Sequence, residues 1–474
     1  MLSIKSSYIA VLFISFSLIS CKKLISIPPP VGTITSSQVF STDDQAVAAV
    51  SGIYFKMINS YRSFSSSGIT IFSGMSADEL IPFDQNINDL FAQFEQNQLV
   101  STNSIIEGNF WTNAYSIIYS ANAIIEGLKG YSGVHDSVKN ELTGEVEFIK
   151  AFCDFYLVNL FGNIPLVNTI NWQKTNLLSR TPASQIYQEI ITDLKDAQNR
   201  LPNDYSVGQG QRIIPNKWAA TALLARVYLF QQQWDSAEVQ STILINNASL
   251  YTLSTDLNQI FTTNSSEAIW QLQQDNSGYG SSLNATPDGF FLIPIDSTKQ
   301  PFAYLTDQLL QAFEAGDRRK SSWIDSTIYN NIKYYFPYKY KIGPAQAKVN
   351  GPYTEYYMVL RLAEQYLIRS EARARQNKLA DAISDLNIIR LRAGLSSIST
   401  ISQTDLLSAI AHERQIELFA EWGNRWLDLK RTNQAITVLA SIKPKWSYND
   451  TLYPIPRTEL LTDPNLTQNP GYDQ

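Results

Sequence analysis

The chain has 474 residues, 44% of them hydrophobic and 12% aromatic, which is ample for a large packed core and excludes a mostly disordered protein. Charged residues are only 17%, and 43 Asp and Glu against 37 Lys and Arg give a net charge of −6, so a broad cationic surface for nucleic acid is excluded. Two His and two Cys are too few for a zinc cage or a disulfide framework, and neither a metal nor a cofactor is expected.

The first element is an address. Tyr8 to Ser20 carries no charge, follows Lys5, and is too short for the roughly 20 residues that span a bilayer, so it fits a secretory h-region. Leu18-Ile19-Ser20-Cys21 resembles the lipobox of bacterial lipoproteins, in which the cysteine is acylated and becomes the mature N-terminus. Residues 1–20 are therefore expected to be a lipoprotein signal peptide, with Cys21 the lipid anchor; the alternative is an ordinary signal peptide with a chance cysteine. Residues 21–35, with Pro28-Pro29-Pro30, read as an extended tether.

The body, 36–474, shows no linker or low-complexity tract, and helical periodicity dominates it. Phe110 to Leu128 is one expected helix. Glu141 to Phe161 is another, with its stripe at Leu142, Val146, Ile149, Cys153, Tyr156, Leu157 and Leu160, stopped by Gly162 and Pro165. Cys153 on that stripe reads as a small buried apolar residue. Pro182 to Leu201 is a third, with Thr181 as its expected cap and Pro202 beyond its end. Asn216 to Asn246 and Gln365 to Gly394 both read as helix, short polar turn, helix. A shift of 145 residues superposes Ala225 on Ser370, Trp234 on Leu379, Ala237 on Ala382 and Leu244 on Ile389. Such small and large positions suit tetratricopeptide-like pairs, whose apolar faces are buried only by stacking. Two stretches break the pattern: Ser63 to Ser104, and Leu250 to Thr354, where turn formers surround short β-type runs such as Ala268–Leu272 and Lys333–Phe336. The expected class is thus mostly α, with helical pairs and irregular excursions carrying short hairpins, and the excursions are the expected binding surface.

Enzyme signatures fail. His412-Glu413-Arg414-Gln415-Ile416 has Ile416 where a zincin needs its second His, so a solvated or salt-bridged His412 is expected. Gly208-Gln209-Gly210 lacks the third glycine of a dinucleotide fingerprint, and neither a Gly-Lys-Ser/Thr loop nor a Gly-x-Ser-x-Gly elbow occurs. Glu413, Glu417 and Glu421 share a helix face, and a glycosidase pair is one reading. The basic residues interleaved nearby (Arg414, Arg425, Lys430, Arg431) make a structural ion-pair network the expectation instead. No catalytic residue is nominated.

Several segments together resemble the SusD/RagB family of Bacteroidetes outer-membrane nutrient-uptake lipoproteins. They are Ser20-Cys21-Lys22-Lys23; the helix Asn113 to Glu126 with Asn122; Glu145-Val146-Glu147-Phe148 through Leu166; Leu360 to Leu367; and Asp385 to Arg390. Glu413 to Leu418, Arg425 to Arg431, Leu452 to Pro456 and the closing Asn465 to Tyr472 follow in the same order. The resemblance implies a single body, with an N-terminal SusD-like part at about 36–260 and a C-terminal SusD/RagB part at about 261–474. It also implies four tetratricopeptide-like units, a place on the outer face of the outer membrane, and a SusC-like TonB-dependent transporter as partner. The ligand it implies is an oligosaccharide or polysaccharide captured without catalysis; a non-sugar nutrient such as peptide, a protein-binding scaffold and a surface glycosidase are the alternatives. A sugar site needs aromatic platforms beside paired hydrogen-bonding side chains. The excursions offer Phe83 and Asn86, Tyr279 in its Gly-flanked turn, and Trp323 beside Arg318 and Arg319. For Phe83 and Trp323 the competing reading is the core.

Overall fold

The computed structural model describes residues 35–86, 89–278, 282–399 and 402–473. Cys21, the segment 1–20, the tether up to residue 34 and Tyr279 lie outside the described residues. The long helices are α1 (Asp43–Asn59), α2 (Asn113–Gly130), α3 (Asp136–Phe161), α4 (Ala183–Arg200), α5 (Lys217–Phe230), α6 (Trp234–Ile245), α7 (Leu362–Arg375), α8 (Leu379–Arg392), α9 (Gln403–Glu417) and α10 (Asn424–Arg431). They pack in chain order from α1 to α7, each against the next, and α7 also packs on α8 and α9. The architecture is mostly α, as the periodicity implies.

Helix ends show where sequence rules held and where they slipped. Gly162 ends α3 at φ 74°, where a Cβ would meet the Leu452 side chain at 3.0 Å. The first turn of α3 starts at Asp136, ahead of the expected Glu141, because it is polar and mostly outside the apolar stripe. At α4, Pro182 is the cap residue, and Thr181 does not cap. The Thr181 backbone pairs with Ile164 instead, and the Ala183 N–H donates to Asn163 Oδ1 at 2.9 Å.

The 145-residue repeat is real down to its turns. Gln232 and Asn377 occupy equivalent positions at φ 57° and 61°. Gln232 N donates to Leu229 O and Gln233 N to Tyr228 O; Asn377 N and Lys378 N make the same bonds to Ala374 O and Arg373 O. This Schellman pattern satisfies the last helical carbonyls and turns the chain back antiparallel.

The strands form three two-stranded antiparallel sheets. β1 (Leu80–Pro82) pairs with β3 (Ala303–Leu305), β2 (Ala268–Leu272) with β6 (Tyr357–Arg361), and β4 (Ile324–Tyr329) with β5 (Ile332–Pro337). Asn330 and Asn331, both at positive φ, close the β4–β5 hairpin, as a two-residue turn matching strand twist requires. The first part of the expected excursion from Ser63 to Ser104 is not at the surface: residues 63–80 are all buried. Ser65 and Ser66 donate to the Met57 and Ile58 carbonyls at 2.8 and 2.7 Å, and the Thr70 and Ser76 hydroxyls share hydrogen bonds with the Tyr357 and Tyr453 hydroxyls.

Cys153 is fully buried on α3, and Phe148, Phe152 and Tyr156 of the same helix meet Trp270 and Trp422 edge-on or tilted at 4.9 to 5.8 Å. Beside this core lies a buried charge cluster. Glu417 accepts from Arg319 Nη1 at 2.9 Å, from Arg361 Nη1 at 2.6 Å and from Arg392 Nη2. Glu413 accepts from Arg319 at 2.6 Å, Glu421 from Arg361 at 2.8 Å and from Lys339, and Glu267 from Arg392 at 2.6 Å. The three glutamates thus do form an ion-pair network, but with distant partners, and they do not share one helix face: α9 ends at Glu417, and Glu421 joins from the turn beyond it, where Ala420 and Trp422 have positive φ. Arg414 and Arg431 pair with Asp428, and Arg425 pairs with Asp78. Lys430 donates to the Asn159 carbonyl.

Burial alone would raise the Glu417 carboxyl, but Arg392, Arg361 and Arg319 hold it well below the usual carboxylate range. Glu417→Gln removes the one charge these three guanidiniums share and leaves them buried with too little counter-charge. The expected cost is about 3–5 kcal/mol in urea unfolding followed by circular dichroism; a loss below about 1 kcal/mol would contradict the reading of the cluster.

Candidate functional site

Phe83 continues the β1–β3 ladder by one rung, its N–H donating to Phe302 O at 3.0 Å. This places the ring against the β4–β5 hairpin. Strand alternation puts Tyr329 and Tyr334 on one face of that hairpin. Phe83 meets both edge-on, at 5.6 and 5.5 Å, and Tyr334 meets Tyr304 of β3 at 5.0 Å. All four rings are half-buried. Polar groups sit at their edge: Gln85 Nε2 donates to the Tyr304 hydroxyl at 3.0 Å, and Asp84 Oδ1 accepts the Asn86 N–H at 3.0 Å, with Asp84, Gln85 and Asn86 exposed. Ile328 and Ile332 stand exposed at the hairpin tip.

The aromatic face extends through Phe302. Its ring lies 4.9 Å from the Arg62 guanidinium, which also covers the ring of Tyr61 at 4.4 Å and of Phe91 at 5.0 Å. Tyr61 is exposed and stands edge-on to Phe291 at 4.9 Å. The result is a strip of half-exposed rings with hydroxyl, amide and guanidinium groups along it. Such a surface suits a ligand with an apolar face and a rim of hydroxyls.

Of the residues expected from sequence, Phe83 and Asn86 lie together here. Tyr279 falls outside the described residues. Trp323 is corrected: it is 0% exposed, its Nε1–H donates to the Leu257 carbonyl at 3.0 Å, and Phe261, Phe419 and the Lys339 ammonium enclose it. No ring face remains for a ligand. The adjacent Arg319, which suggested a surface, is itself buried in the Glu413–Glu417 cluster. Tyr304, Tyr329 and Tyr334 were not singled out from sequence; the Asn330-Asn331 turn between alternating Ile and Tyr was the available signal. His412 donates from Nε2 to the Ala312 carbonyl at 2.8 Å. Among the described residues no group of His, Cys, Asp or Glu is arranged to hold a metal ion.

Electrostatics beneath the strip are set by burial. Glu79, next to β1, is pushed up to about 8 by desolvation, with the Asp78 charge adding to the shift and Arg425 and the Ala420 N–H opposing it. Its Oε1 has no hydrogen-bond partner. A carboxyl raised in this way contributes most below its unfolded value and loses that contribution as pH rises toward 8. The parent should therefore lose stability relative to Glu79→Gln between pH 5 and 8, by at least about 1 kcal/mol at the usual 1.36 kcal/mol per pKa unit. Paired urea titrations at the two pH values check this; a constant difference between parent and variant would contradict it.

Comparison with known proteins gives a consistent picture. Residues 314–472 match a family model described as the SusD family, and residues 56–229 match one described as "Starch-binding associating with outer membrane". The SusD-like protein P2 of Formosa agariphila is 28% identical over 521 residues, covering 99% of this chain and 100% of that protein. A solved structure described as a laminarin binding SusD-like protein has a TM-score of 0.78 at 24% identity, covering 91% of this chain and all of that one. Surface glycan-binding protein A from Bacteroides thetaiotaomicron, solved with laminarihexaose, has a TM-score of 0.74 at 20% identity, covering 90% of this chain and 99% of that one. These structural likenesses extend the fold over nearly the whole chain.

Proposed function

The chain belongs to the SusD/RagB family, and from that premise we propose that it is a cell-surface lipoprotein that captures oligosaccharide and delivers it, unaltered, to a TonB-dependent outer-membrane transporter. The observation that carries this reading is the cluster of Phe83, Tyr304, Tyr329 and Tyr334, half-exposed and edged by Gln85 and Asn86. A sugar ring laid on such rings covers its apolar face, while its hydroxyls meet the amides and phenols at the edge. Relatives described as laminarin-binding and as glycan-binding, and a matching family described as starch-binding, support glucans as the first ligands to try.

A non-catalytic role is supported by what the carboxylates do. Glu413, Glu417 and Glu421 are buried and committed to arginine and lysine, so none stands free in a cleft as a general acid or nucleophile would. In this reading Cys21 carries the lipid that holds the protein at the outer membrane, facing outward, and residues 21–35 let the body reach the transporter mouth.

Phe83→Ala and Tyr334→Ala should each weaken binding of the preferred glucan at least tenfold, with unchanged helicity by circular dichroism. Calorimetry against maltohexaose and laminarihexaose checks this. Parent affinity in both variants would move the site elsewhere.

A further inference from the structure

Every fully buried arginine among the described residues has a carboxylate: Arg226 holds Glu364 at 2.7 Å, Arg361 holds Glu417 at 2.6 Å, Arg414 holds Asp428 at 2.7 Å, and the others are paired alike. Arg180 and Arg212, half-buried, donate to backbone carbonyls instead. Arg62, also half-buried, does neither. Among the described residues its guanidinium makes no ion pair and no hydrogen bond. Its neighbours are four rings, Tyr61 at 4.4 Å, Phe302 at 4.9 Å, Phe91 at 5.0 Å and Phe291 at 5.7 Å. None of its nitrogens belongs to the sealed, unpartnered polar atoms of the interior, so its free N–H groups face solvent.

The backbone holds this side chain in place. Arg62 sits at φ 46°, a conformation that residues with a Cβ seldom adopt. Asn109 Nδ2 donates to the Tyr61 and Arg62 carbonyls at 3.1 and 2.9 Å. A Cβ on Gly68 would meet the Arg62 carbonyl oxygen at 2.6 Å, so the chain returns against this turn too closely for any other residue there. The carboxylates of the adjoining segment are engaged elsewhere: Asp84 Oδ1 accepts the Asn86 N–H at 3.0 Å and Asp89 Oδ1 the Phe91 N–H at 2.7 Å, and neither pairs with Arg62. Desolvation among the rings lowers the guanidinium pKa from its ordinary value, and the charges of Tyr61 and Asp89 only partly oppose this.

Ring faces attract a cation but offer no lone pairs to its five N–H donors. A cation drawn partly out of water gains most from an anion, and the planar guanidinium fork matches two oxygens of a carboxylate or a sulfate. The position suits a ligand lying on the strip. Phe302 is the rung opposite Phe83 and stands two residues before Tyr304, so strand alternation gives these rings one face, and Arg62 lies against Phe302. We infer that Arg62 reads an anionic substituent of the glycan, a carboxylate or a sulfate ester, so that an acidic sugar chain is held more tightly than its neutral counterpart. The inference rests on the glycan reading above and adds a charge to the ligand.

The test is calorimetry with laminarihexaose and maltohexaose, each in three forms: neutral, oxidised at the primary hydroxyls to carboxylates, and partially sulfated. The readout is the ratio of anionic to neutral affinity on one backbone, which a merely structural loss would leave unchanged. In the parent this ratio should be about tenfold or more for the carboxylate or the sulfate form, and should fall in about 0.5 M NaCl. Whichever form wins identifies the group that Arg62 takes. Arg62→Gln should bring the ratio to about twofold or less, and Arg62→Lys, which keeps the charge without the fork, should restore part of it. Gln suits the backbone there, since Gln209 and Gln232 already stand at φ 54° and 57°. Neutral sugar bound with no anionic preference, or a preference that survives Arg62→Gln, would overturn this inference and leave the glycan reading standing. Absence of binding to all six sugars would overturn the glycan reading, and this inference with it.

Discussion

One buried carboxylate, that of Glu417, organises the C-terminal half of the molecule. It is reached by Arg319 from the excursion, Arg361 from the end of β6 and Arg392 from the last turn of α8. Charges this deep are tolerated only when matched at close range, because no water solvates them. The three segments are therefore not free to shift independently. Arg319 lies in the short helix Arg318–Trp323, and β4 starts at the next residue, Ile324. Fixing Arg319 fixes the root of the hairpin, and the closed packing of Trp323 against Phe261 and Phe419 secures the same point with apolar contacts.

This arrangement matters for the proposed capture of a ligand. A ring platform contributes affinity only if its side chains are already held, since ordering loops and rotamers on binding costs free energy. Phe83, Tyr304, Tyr329 and Tyr334 hold one another edge-on and come from two strand pairs rather than from loop tips. The pairing of β1 with β3 and of β4 with β5 holds the rings, and the polar side chains at the edge remain exposed. The design separates scaffold from site: buried charge and aromatic packing on one side, half-exposed rings on the other.

The helices were legible in the sequence because a 3.6-residue stripe is a local property, and the 145-residue repeat was legible because its turns are local as well. The glutamates were legible as an ion network, since a spacing of four places Glu413 and Glu417 together on α9, with Glu421 following in the turn beyond its end. Its partners were not: Arg319, Arg361 and Arg392 lie 25 to 98 residues away from Glu417 in the chain, whereas the basic residues nearest in sequence serve Asp78, Asp428 and the Asn159 carbonyl. Trp323 was misread for the same reason, because two neighbouring arginines look like surface until one of them is seen to be buried. Phe83 was readable as a candidate, but only the β1–β3 pairing, between segments more than two hundred residues apart, brings it to Tyr304, Tyr329 and Tyr334, and no local pattern encodes that pairing. The irregular stretch from Ser63 was expected to lie at the surface, and residues 63–80 of it are buried instead, with Ser65 and Ser66 bonded to carbonyls of the preceding helix.

The most direct test of the central claim, that a rigid aromatic strip grips sugar without rearranging the scaffold, is hydrogen–deuterium exchange with and without the best-binding glycan from an array. The account predicts slower exchange confined to the amides of 82–86, 303–305 and 324–337, with α2 to α8 unchanged. Protection that falls instead on the outer helices, or glycan binding with no change in those three segments, would contradict it.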